Sequence, residues 1–193
     1  MTVSPNPVSD PEAYRQLLLT ALGGDDPAGV QAGTPAELRQ LATEAGDLLS
    51  TRPEPGEWSV LECIGHFVDA ELVVAGRYRW IIAHDEPALA PYDQDRWVDR
   101  LRHRDDDVGR LLDTFEALRA ADLDLWRRST DEERARIGHH SERGPESYEL
   151  TFRMLAGHDR LHLEQARRAL DGARRVGVAA SSRTQVVATT RTE

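Results

Sequence analysis

The sequence predicts an all-α protein: a four-helix bundle with one short extra helix at its N-terminal end and a disordered C-terminal tail. Three observations carry this. Four long segments repeat apolar residues every three or four positions. Their ends are marked by cap residues, Gly and Pro. No stretch shows a convincing period-2 alternation, the mark of a half-buried strand.

Met1 to Ser9 has no periodicity. Ser9-Asp10-Pro11-Glu12 reads as a helix start, with a cap acceptor, Pro at the first helical position and an acid in the first turn. Gly23-Gly24-Asp25-Asp26-Pro27 stops that helix early. Thr34-Pro35-Ala36-Glu37 is a second start at capping-box spacing, and Leu38, Leu41, Ala45, Leu48 and Leu49 carry the helix to about Ser50. Pro53, Pro55 and Gly56 make an elbow. Ser59-Val60-Leu61-Glu62 opens a helix to about Ala83 that is apolar over most of its circumference, which predicts a central position. His84 to Arg104 is a long polar connection, with a short helical turn expected near Trp97. Leu111, Leu112, Phe115, Leu118, Leu125 and Trp126 mark a helix from about Asp105 to Arg128. Ser129 to Glu146 reads as a polar loop, and the last long helix as Ser147 to Asp171, ending at Gly172. The chain thus divides into a lead with a short helix (1–33), a bundle (34–172) and a flexible tail (173–193).

Composition narrows the function. With 24 basic and 34 acidic residues among 193, the formal charge is −10, which argues against a nucleic-acid partner that needs phosphates neutralised. One Cys excludes a disulfide framework and a Cys-rich zinc site. No run approaches a membrane span, and Met1 to Pro11 lacks the features of a signal peptide, so a cytoplasmic protein with no membrane partner is expected.

Histidine placement is the most informative feature. On the last long helix His158 and His162 lie roughly 40° apart and about 6 Å apart along the axis. They share a face with Thr151, Met154, Leu155, Gln165, Ala166 and Ala169, the core side. Two imidazoles at this spacing can share one metal ion; two core histidines bonded to carbonyls or carboxylates are the alternative. His66 is the other histidine within a long apolar segment. Its stripe holds Glu62, Asp69, Val73 and Arg77, so periodicity alone leaves open a polar pocket or a solvated rim. If His66 faces the bundle, three imidazoles leave a fourth position open, as in catalytic metal sites. Glu62 or Asp69 would then orient the His66 ring, unless they face water.

The run Pro55-Gly56-Glu57-Trp58-Ser59-Val60-Leu61-Glu62, followed by His66, Asp69 and Glu71, resembles the second-helix signature of the DinB-like superfamily of metal-binding four-helix bundles. Gly144-Pro145-Glu146, followed by Leu155-Ala156-Gly157-His158-Asp159-Arg160-Leu161-His162-Leu163-Glu164-Gln165, is similar to its fourth-helix signature. The resemblance covers about Thr34 to Leu170 and implies that His66, His158 and His162 hold a divalent ion. It also implies, from the wider group, low-molecular-weight-thiol-dependent S-transferase or isomerase activity.

Other residues are weaker candidates. Arg77 or an Arg of the 84–104 connection is a candidate for an anionic thiol or substrate. Tyr92 and Trp97 are lid or packing residues; His139, His140 and Glu142 are rim or solvent residues; His84 and His103 are expected to face water. Cys63 reads as a small buried hydrophobe and Trp58 as a staple at its helix start. His158-Asp159-x-x-His162 echoes a zinc-protease motif, but with Asp for Glu and the third ligand on the wrong side.

The expected function is a metalloenzyme carrying Zn, Ni or Fe, which three imidazoles do not distinguish. It would use a thiol cosubstrate to transfer to or isomerise a small molecule, with hydrolysis as a variant. The alternatives are a non-enzymatic metal-binding stress or interaction protein, and a metal-free helical interaction module. A homodimer through helix faces is compatible with the sequence, although no clear apolar stripe marks it.

Overall fold

Asp10 caps the first helix by accepting from the Ala13 N–H, and Pro11 sets its first turn. In the computed structural model, which describes residues 10–189 and side chains to residue 177, this helix is α1, Pro11–Leu22. It is built into the bundle: Leu18 and Leu22 are buried, and α1 lies against the last helix. The close approach needs Gly157, because a Cβ there would stand 1.9 Å from the Leu18 carbonyl oxygen.

Helix α2 spans Pro27–Ala45 and so begins seven residues before the expected Thr34 start. Asp26 provides the cap, accepting from the Ala28 and Gly29 N–H groups. Pro35 lies inside the helix, where its missing N–H leaves the Gln31 carbonyl free. That carbonyl accepts instead from Nη1 of the buried Arg119, at 3.1 Å. Thr34, which resembled a cap, is buried and directs its hydroxyl to Asp159 at 2.8 Å. A proline that mimics a helix start is thus tolerated mid-helix because a side chain of another helix satisfies the orphaned acceptor.

Helix α3, Val60–Ala83, has the expected Ser59–Glu62 capping box. The long connection holds a two-residue strand β1, Ala88–Leu89, and helix α4, Gln94–Leu101, which contains Trp97. Helix α5 is Val108–Arg128, capped by Asp107. The segment read as a loop contains a one-turn helix α6, Asp131–Ala135, and a hairpin of β2, Ile137–His140, with β3, Gly144–Ser147. The sheet order is β1-β2-β3, with β1 parallel to β2 and β2 antiparallel to β3. The sequence concealed these strands because they are short and place Gly138 and His140 inward where an apolar residue would be diagnostic.

Helix α7, Tyr148–Thr189, does not stop at Gly172. Gly172 serves close packing, since a Cβ there would lie 2.4 Å from the Pro53 Cβ, and the helix continues through the buried Ala173. Residues 173–189, expected as a disordered tail, are therefore helical, and 190–193 lie outside the described residues. Helices α2, α3, α5 and α7 form the four-helix bundle. One apolar cluster holds Leu38, Ile64, Phe67, Phe115 and Leu163; a second holds Tyr78, Ile81, Leu89, Tyr148 and Phe152. Burying each such side chain contributes roughly 1.5–3 kcal/mol. No helix among the described residues is long and apolar enough to cross a membrane.

Candidate metal centre

α3 and α7 bring His66, His158 and His162 together, with one potential ligand atom from each lying within 4.8 Å of the others. The i, i+4 spacing on α7 brings the His158 and His162 rings to 4.2 Å between centroids, tilted by 48°, and His66 enters from the facing helix. The Nε2 atoms of His66 and His158 are 3.1 Å apart. Two nitrogens about 2.05 Å from one tetrahedral ion stand roughly 3.3 Å apart, so this spacing fits a shared cation. No fourth His, Cys, Asp or Glu joins the cluster among the described residues, so an ion held by the three rings would keep a coordination position for an outside ligand.

The electrostatics favour neutral rings, the form that ligates. Burial, reinforced by the other histidines, pulls His66 and His158 well below the ordinary imidazole value. Burial also lowers His162 to about 4, partly opposed by its bond to Gln165. Nδ1 of His162 lies 2.8 Å from Gln165 Oε1, which fixes the Nδ1–H tautomer and leaves Nε2 with a free lone pair. The Nδ1 atoms of His66 and His158 are buried without a hydrogen-bond partner, so packing orients these two rings. Trp58 lies against His66 and His162 at 5.1 and 6.2 Å, Phe67 meets both α7 histidines edge-on at 6.3 Å, and Tyr92 faces His66 at 6.4 Å. Trp58, expected to be a helix-start staple, is thus a wall of the site.

Several expected neighbours act elsewhere. Glu62 does not orient His66; its carboxylate closes the capping box and pairs with Arg52 at 2.5 Å. Asp69 does not orient it either, because it lies 2.7 Å from Nε2 of His103. His103 is not solvated: it is buried between Asp69 and Asp106, the latter also at 2.7 Å, over Gly65. A Cβ on Gly65 would stand 2.3 Å from that ring. Trp97 backs Tyr92 at 4.8 Å. Cys63 is buried and its thiol is pushed up to about 12 by burial, which keeps it protonated and unreactive.

A cavity of about 560 Å³ opens beside the cluster and is reached at His158. Ala70 and Val74 of α3 and Met154 and Leu155 of α7 form its apolar floor. Arg77, Tyr92 and His140, expected at the pocket, line it; Tyr14 and Arg143 also line it and carry no local motif that could have announced them. His139 is exposed beside Glu86, but His140 is buried and lowered to about 4 by burial and by Arg143 and Arg77.

The family model described as the DinB superfamily matches residues 32–166. No curated protein matches the chain. Among solved structures, the chain is similar to YfiT from Bacillus subtilis, described as a probable metal-dependent hydrolase with an unusual four-helix bundle topology. The two share 20% identity, the match covers 91% of this chain and 94% of that one, and the TM-score is 0.68.

Proposed function

The chain belongs to the DinB superfamily, and from that premise we propose that it is a divalent-metal enzyme that uses a low-molecular-weight thiol to transfer to, or isomerise, a small-molecule electrophile. His66, His158 and His162 hold the ion, with Zn, Ni or Fe as the candidates. The observation that carries the reading is the set of three neutral imidazoles, His66 and His158 buried and His162 half-buried, with an open position beside a cavity of about 560 Å³. A dication bound there would lower the pKa of a thiol or water joining it and supply a nucleophile near neutral pH.

The chain's own residues do the rest. Burial keeps the rings unprotonated, Gln165 holds one tautomer, and Trp58 and Phe67 restrain the ring planes. Ala70, Val74, Met154 and Leu155 keep the substrate's path apolar. Among the described residues no carboxylate hydrogen-bonds to the three rings or stands among them as a general base for water. That supports a thiol, whose free pKa of about 8.5 needs far less lowering than water's value of about 15.7. Hydrolysis is the second reading, supported by the description of YfiT as a probable metal-dependent hydrolase. Non-enzymatic metal binding is the third.

The test is loss of monochlorobimane with bacillithiol, mycothiol or glutathione, using protein loaded with Zn²⁺, Ni²⁺ or Fe²⁺ and its chelated control. A metal-dependent rate with one thiol is the expected result. No rate with any thiol, in protein that holds the ion, overturns the transferase reading. Metal-dependent ester cleavage without thiol would then select hydrolysis.

A further inference from the structure

Arg77 is a buried cation, 5% exposed, and among the described residues no carboxylate lies within ion-pair distance of it. Its Nη2 donates to the Ala90 carbonyl at 2.6 Å and lies 3.2 Å from His140 Nε2. Its Nε is buried with no partner. Tying the connection to α3 through Ala90 requires one neutral donor, not a charge. The buried Glu146 attracts this guanidinium only from beyond ion-pair distance, and the cost of removing it from water, with the nearby Arg143, outweighs that attraction, so a bound anion would offset the remainder. Arg143 beside it does not need one, since Glu146 takes its fork at 2.5 and 3.0 Å.

The placement gives that charge a role. Residues 66, 70, 74 and 77 follow helical spacing, and 11 residues at 100° return Arg77 to within roughly 20° of His66, about 16 Å along the axis. Ala70 and Val74 between them floor the cavity, and on α7 His158, Leu155 and Thr151 form the facing wall. The cavity therefore has a metal-ligating end, an apolar middle and a cationic end. The acids at its mouth, Asp93, Asp95 and Glu142, are not paired with Arg77, and Asp93 accepts from the Arg96 N–H.

We propose that Arg77 is the carboxylate-binding residue of this cavity, so that the substrate is an elongated, partly apolar carboxylic acid whose carboxylate lies at Arg77 and whose reacting end lies at His158. The substrate role rests on the metal-enzyme reading above; the anion subsite does not. The planar guanidinium suits a carboxylate, and a charge-assisted bond in a partly dry cavity discriminates against the neutral isostere.

The experiment uses chelated full-length protein, so that no carboxylate is held by metal, with 4-phenylbutyrate as probe. The neutral amide of the same acid and inorganic phosphate are the comparisons, all followed by calorimetry. Wild type is expected to bind the acid roughly tenfold or more tighter than the amide, the size of one charge-assisted hydrogen bond. Arg77→Gln should lose that preference and Arg77→Lys should keep part of it, with helical circular dichroism monitored for both. His162→Ala should retain the preference, so a failure of the metal reading leaves this result standing. Equal binding of acid and amide by wild type, no binding of the acid, or an undiminished preference in folded Arg77→Gln overturns the subsite. Phosphate binding as tightly as the acid overturns the carboxylate assignment.

Discussion

Arg119 donates from Nη1 to Asp159 at 2.5 Å, and Asp159 is the chain neighbour of His158. The same guanidinium holds Glu71 through Nε and Nη2 at 2.9 and 2.7 Å and the Gln31 carbonyl through Nη1. Burial alone would lower Arg119, but Asp159 and Glu71 more than reverse this and hold it well above its ordinary value. One buried residue thus joins α2, α3, α5 and α7 beside the three-histidine cluster.

Removing one member of this network leaves a buried charge alone. Arg119→Ala is expected to cost about 3–5 kcal/mol, the range for breaking a buried ion pair. Urea unfolding checks it: a change below about 1 kcal/mol, the size of an exposed pair, would mean that solvent screens the network.

Metal binding separates ligands from supports. His162→Ala should abolish uptake of about one ion per chain while leaving the helical circular dichroism intact. Gln165→Ala should weaken affinity by roughly 10–100-fold, because it frees the tautomer of His162. Metal analysis of protein prepared without a polyhistidine tag measures both, and unchanged affinity in Gln165→Ala would remove its positioning role.

Gly157→Ala should dislodge α1. The new Cβ would stand 1.9 Å from the backbone carbonyl of Leu18, which cannot turn aside as a flexible side chain could. We expect a loss of roughly 1–3 kcal/mol, typical of overpacking, with earlier proteolysis within α1. Cleavage kinetics matching wild type would show that α1 adjusts without cost.

Stability of the chelated protein should rise and then fall with pH. His140, lowered to about 4, binds a proton more readily when unfolded, so its contribution is complete above about 6.5 and is lost as pH falls toward 4. The three cluster histidines are lowered too and add to that acid limb. His103 is raised, chiefly by its bond to Asp69, so its contribution is complete below about 6.5 and lost as pH rises through its folded value. Thermal midpoints across pH 5 to 8 for His140→Gln and His103→Gln should show a shallower acid limb and a shallower alkaline limb, respectively. Curves parallel to wild type would contradict both assignments.

The local code was legible where one helix decided the matter. The Ser59–Glu62 capping box, the apolar circumference of α3 and the shared face of His158 and His162 all depend on neighbours within about one turn, so the sequence alone determined them. The family signatures added His66 to the pair. Glycine was ambiguous for the same local reason: Gly172 looks like a helix stop until Pro53 is seen against it.

Tertiary structure decided what depends on partners far along the chain. Thr34-Pro35 resembles a helix start because its local chemistry is that of a cap; only Arg119, from α5, shows how the helix passes through it. Asp69 and Glu62 share a stripe with His66, yet His103 and Arg52 claim them. Period and spacing give a side chain's direction but not what meets it there. The buried charge of Arg77 became informative only when the cavity around it, and the absence of a carboxylate in ion-pair range among the described residues, could be seen.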